Sequence, residues 1–71
     1  MNNFEVKVKN LSAADIAQIE AQYDAAMDTE HGSGEHWILI GLLGQKGFRV
    51  YSDQEALLTA GKIIAAWYKG Q

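Results

Sequence analysis

The segment "FEVKVKN" alternates apolar and charged positions, with Phe4, Val6 and Val8 on one side and Glu5, Lys7 and Lys9 on the other. A period of two predicts a strand over about 4–9 with one buried face. Its lysines suit a sheet edge, where they discourage foreign strands from pairing. A different period follows. Ser12 and Asp15 have the spacing of a capping box, and Leu11 and Ile16 can form a hydrophobic staple around it. Ile16, Ile19, Tyr23, Ala26 and Met27 then share about a third of a helical wheel, which predicts a helix over 12–28.

The stretch "YSDQEALL" repeats the box with Ser52 and Glu55. Ala56, Leu57, Ala60, Ile63, Ile64, Trp67 and Tyr68 gather on one face of the helix predicted over 53–69. Asp53 and Glu55 at its start and Lys62 and Lys69 towards its end complement the macrodipole. Between the helices, Trp37 to Leu43 is apolar throughout apart from Gly41, and Phe48 to Tyr51 is a shorter partner. With turn chemistry at Gly44–Gly47, these read as strands 37–43 and 47–51 of a β-hairpin, preceded by a loop over 29–36.

The expected order is β-α-β-β-α. It implies an α+β domain in which a three-stranded mixed sheet carries both helices on one face, with strand order 1-2-3 or 1-3-2. This element order resembles that of the small DinI-like regulators of recombinase filaments, although their acidic C-terminal helix has no counterpart here. Strand 37–43 does not alternate, so one of its faces is expected to point away from the helices and meet another protein.

Composition narrows the class. The 71 residues make one domain, 1–71, with no Cys. Chains this short often supplement a small core with disulfides, a metal or oligomerisation. The net charge is −3, and six acidic residues from Asp15 to Glu35 have no Lys or Arg among them. Without a basic stripe, direct nucleic-acid binding is not expected. The start shows no signal-peptide pattern and the longest apolar run is far below a bilayer span, so a cytoplasmic, non-membrane protein is expected.

One segment concentrates chemistry: "TEHGSGEHW", residues 29–37. His31, His36, Glu30 and Glu35 are competent metal ligands, but the two histidines lie five apart across two glycines. A Ser33 nucleophile would need Gly-x-Ser-x-Gly on a strand-to-helix turn, and a phosphate cradle would need a glycine-rich turn ahead of Lys-Ser/Thr. Neither pattern is present. The segment therefore reads as a hinge in which Gly32 or Gly34 ends the first helix, and no catalytic residue, metal or cofactor is expected.

The function expected is that of a small acidic, non-enzymatic protein-interaction module, homodimeric or bound to a larger protein. A regulator or inhibitor of a larger, possibly nucleoprotein, complex fits that class, of phage or mobile-element type such as an anti-CRISPR-like protein. The expected contact residues are Glu20, Asp24, Asp28 and Glu30 in the acidic block, and Trp37, Ile38, Leu39 and Ile40 on the unpatterned strand. Ala17 and Ala21 on the outer ridge of the first helix and Leu58 on the second complete the set. The alternatives are a small metal-dependent factor or enzyme using His31 and His36, and a structural homo-oligomeric subunit.

Overall fold

The described residues form four helices and no strand. The computed structural model describes residues 3–71; Met1 and Asn2, on which part of the signal-peptide reading falls, lie outside them. The elements are α1 (Asn3–Lys9), α2 (Ala13–Met27), α3 (Gly34–Gln45) and α4 (Asp53–Lys69). The expected α+β sheet is thereby overturned, and with it the likeness of element order to the DinI-like regulators. No described helix is long and apolar enough to cross a membrane.

The two capping boxes mark the starts of α2 and α4. At α2, Ser12 Oγ accepts from the Asp15 amide at 3.0 Å, and Asp15 Oδ2 accepts from the Ser12 amide at 2.9 Å. At α4, Ser52 Oγ accepts from the Glu55 amide at 3.1 Å. Glu55 reaches one residue further back than the usual box and accepts from the Tyr51 amide at 2.8 Å. Each arrangement satisfies amides that a helix start leaves without partners.

The segments read as strands are helical or irregular for identifiable reasons. Phe4 and Val8 are two strand steps apart on one face, but they are also i,i+4 neighbours on a helix. Val6 separates the two readings: it is 41% exposed, whereas Val8 is buried and Phe4 packs against Phe48 with ring centroids 5.8 Å apart. Glu5 in the first turn and Lys7 and Lys9 in the last suit the helix dipole of α1.

In α3, the buried positions are His36, Leu39 and Leu43, which is the i, i+3, i+7 stripe of a helix. A histidine inside that stripe hides it from a search for apolar periodicity. The expected hairpin turn at Gly44–Gly47 is instead the C-terminus of α3. Gly47 takes φ +95°, its amide donates to Gly44 O at 3.1 Å, and the Phe48 amide donates to Leu43 O at 2.8 Å. This is the Schellman arrangement, which consumes the last free carbonyls of a helix. Beyond it, Phe48 and Val50 are buried while Arg49 and Tyr51 are exposed, so residues 47–51 alternate without pairing as a strand.

Helices α2, α3 and α4 pack against one another, and α1 lies on α4. Ile16, Ile19, Ala26, Leu39, Leu43, Ala56, Ala60 and Ile63 form the centre, extended by Val8, Phe48 and Val50. Alanines at three of these positions let the helices approach closely. Polar ties lock the ends: Lys46 Nζ meets Asp15 Oδ1 at 2.6 Å, Trp67 Nε1 donates to Leu11 O at 3.2 Å, and Lys7 Nζ donates to Gly47 O at 2.7 Å. The first contact draws the end of α3 to the start of α2.

Candidate functional site

The expected hinge over 29–36 is shorter and more ordered in its bonding than the sequence implies. α2 ends at Met27 with Asp28 as its C-cap, and α3 already begins at Gly34, with Ser33 as its N-cap. Gly32 supplies the positive φ of the connection, +83°, and its amide donates to Asp53 Oδ2 at 2.5 Å. The connection is thus tied to the first residue of α4.

Ser33 does not cap α3 with its side chain. Its hydroxyl instead contacts His36 Nδ1 at 2.9 Å and Thr29 Oγ1 at 2.8 Å, while Thr29 Oγ1 donates to Ala26 O at 3.1 Å. Each hydroxyl has one proton to give, so two directions are open. With Thr29 donating to Ala26 O, Ser33 donates to Thr29 and accepts from His36 Nδ1–H, which leaves the lone pair of a neutral imidazole on Nε2; with Thr29 donating to Ser33, the serine donates to Nδ1 instead.

His36 is 1% exposed, and its Nε2 has no hydrogen-bond partner among the described residues. No described, fully buried side-chain nitrogen or oxygen is left unpaired. Nε2 is therefore the part of the ring that reaches the surface. Beside it lies exposed His31, with ring centroids 5.4 Å apart. A ring nitrogen from each histidine and a carboxylate oxygen of Asp53 all lie within 4.8 Å of one another. His31 and Asp53, though not the buried His36, line a groove together with Trp37, Ile40, Val50 and Tyr51.

No known family model, curated protein or solved structure is significantly similar to this chain. Function therefore rests on the placement of its side chains.

The two glutamates read as metal ligands beside His31 and His36 are not in the cluster. Glu35 points to α2, where its Oε2 accepts from Gln22 Nε2 at 2.9 Å, and Glu30 is exposed outside the group. Asp53 takes their place. Nothing local in the sequence marks it, because it lies seventeen positions after His36 and reads as an ordinary dipole-complementing residue of α4. It joins the histidines only because α4 packs its start against the α2–α3 connection.

The expected contact residues separate by burial. Leu39 is fully buried in the core and Ile40 is half-buried, whereas Trp37 and Ile38 are 67% and 54% exposed. Leu39 is accordingly corrected from a contact residue to a core residue. Asp24, Asp28, Glu30, Ala17, Ala21 and Leu58 are exposed. Glu20 is half-buried and accepts from Tyr68 Oη at 2.7 Å, a bond that raises the Tyr68 phenol above its ordinary range. Ala21 and Ile38 face each other across a shallow groove between α2 and α3, lined also by Gln18, Gln22, Gly41, Leu42 and Gln45. That lining contains no charged side chain.

Proposed function

We propose that this protein is a non-enzymatic protein-interaction module whose docking surface is the outer side of α3, and whose first partner is a second copy of itself. The observation that carries the reading is the adjacent pair Trp37 and Ile38, both more than half exposed, on a helix with no charged residue from His36 to Gln45. Trp37 and Ile38 border two different grooves, and tryptophan is among the residues that dominate interface energies.

The second copy follows from charge. At −3, two copies repel each other over most approach directions. The uncharged side of α3 is where that repulsion is weakest, and the amides of Gln18, Gln22 and Gln45 supply a polar rim. Pairing α3 with α3 about a two-fold axis gives a closed dimer. Asp24, Asp28 and Glu30, all exposed, would then leave the acidic end of α2 open to a basic surface on a larger protein.

Ile38→Glu and Trp37→Glu test the reading by light scattering and circular dichroism. Both side chains are exposed, so each variant should keep the helical spectrum. The wild type should be dimeric and both variants monomeric. A wild type that stays monomeric at its highest soluble concentration overturns the proposal, as do variants that remain dimeric.

A further inference from the structure

We infer that His31, His36 and Asp53 form a binding site for one divalent transition-metal ion of the zinc class. The inference stands on observations separate from the α3 docking surface, although Trp37 borders both. It stands on two separate observations: the convergence of three donors from three parts of the chain, and the unpartnered Nε2 of a buried histidine whose other nitrogen is already held.

The second observation decides the ligand chemistry. A metal-bound imidazole almost always donates its remaining N–H to an oxygen, which fixes the tautomer and the ring plane. Here His36 Nδ1 lies 2.9 Å from Ser33 Oγ, and with Thr29 donating to the Ala26 carbonyl the serine accepts from Nδ1–H. In that tautomer the lone pair on Nε2 is what a cation needs, and the ring need not rotate to offer it. Asp53 is similarly half-committed. Its Oδ2 accepts from the Gly32 amide, which leaves the carboxylate positioned with Oδ1 free of any bond to a described residue. His31, exposed on the connection, is the mobile third donor.

Two imidazoles and one carboxylate are a borderline set, suited to zinc and its neighbours. Magnesium and calcium prefer more oxygen donors. Tetrahedral ligand atoms at zinc–nitrogen and zinc–oxygen bond lengths lie about 3.3 Å apart. The three donors lie within 4.8 Å of one another, so a small approach completes the set, and the exposed His31 side chain is free to make it. The adjoining groove supplies an entry path, and water completes the coordination from that side. No Lys or Arg occurs between Asn10 and Gln45, the part of the chain that carries both histidines. A bound ion would clamp the α2–α3 connection onto the start of α4, the role a disulfide fills in other small chains.

Calorimetric titration of the tag-free protein with Zn2+ and with Mg2+ tests the site. One equivalent of Zn2+ should bind, and Co2+ in its place should give the intense visible bands of a tetrahedral site. His31→Gln and Asp53→Asn should each weaken Zn2+ binding at least about tenfold, and Ser33→Ala should do so through the lost support of His36. Asn keeps an oxygen acceptor for the Gly32 amide, and His31 is exposed, so both ligand variants should retain the wild-type circular dichroism. If Asp53→Asn unfolds, His31→Gln alone decides. The absence of saturable one-to-one Zn2+ binding overturns the inference. So does binding undiminished in the ligand variants, or Mg2+ binding with the same residue dependence.

Discussion

Three helices begin at a serine, and the three serines do different work. Ser12 and Ser52 each turn the hydroxyl onto the backbone amide three residues ahead, of Asp15 and Glu55. Ser33 has the same extended backbone and the same position, yet its hydroxyl ignores the amide of His36 and takes the ring instead. The residue at the third helical position makes the difference. Asp15 and Glu55 reach back to backbone amides outside the helix, whereas the imidazole of His36 is turned into the protein beside its serine. One cap geometry therefore ends two helices in water and anchors a buried titratable ring in the third.

The largest break in this comparison should come from His36. His36→Ala empties a fully packed position and strands the Ser33 hydroxyl, and should lower unfolding free energy by roughly 2–4 kcal/mol in chemical denaturation. Ser33→Ala should follow at about 1–3 kcal/mol, because it leaves the Nδ1 of buried His36 unpaired. Combined with His36→Phe, which has no N–H to strand, much of that loss should vanish. A Ser33–His36 cycle that proves additive would mean the ring contact carries no stability.

Ser12→Ala and Ser52→Ala should each cost about 1 kcal/mol. In contrast with Ser33, the Ser12 effect should add nearly independently to that of Asp15→Ala, since the cap is made to a backbone amide. The smallest expected effect is in acid. The hydrogen bond from Lys46, and next that from the Ser12 amide, hold the Asp15 carboxyl at about 2, below its ordinary 3.8. A depressed folded-state value means stability present above pH 3.8 is lost as the pH falls from there towards 2. Thermal melts across that window should flatten in Asp15→Asn, while Ser33→Ala should retain the wild-type acid slope.

The same contrast shows what was legible in the sequence. Ser12…Asp15 and Ser52…Glu55 are local signals, and local signals locate α2 and α4. The stripe of α3 is equally helical in spacing, but one of its three buried members is a histidine, and Gly44 reads as the start of a hairpin turn. Phe4 and Val8 fit both periods, so seven residues cannot choose between strand and helix until α4 offers a surface to pack on. At the candidate site, His31 and His36 are visible as a pair. Asp53 is not, because its membership depends on tertiary placement and leaves no mark on its neighbours. Glu30 and Glu35 are closer in sequence and lie elsewhere in space.

Gly41 and Gly44, beyond the first turn of α3, carry a consequence for the order of folding. Each lowers intrinsic helicity by about 1 kcal/mol relative to alanine, in a helix of only twelve residues that lacks a side-chain cap bond. Isolated helices of that length are marginal even with good formers. An alanine Cβ at Gly41 or Gly44 would meet nothing within 4 Å, so the interior does not require either glycine. α3 is consequently helical by virtue of its neighbours: Leu39 and Leu43 have no reason to wind until α2 and α4 present their alanines and isoleucines. It should be the late element in folding and an early one to open. The histidine pair would then assemble only once the rest of the chain has closed around it.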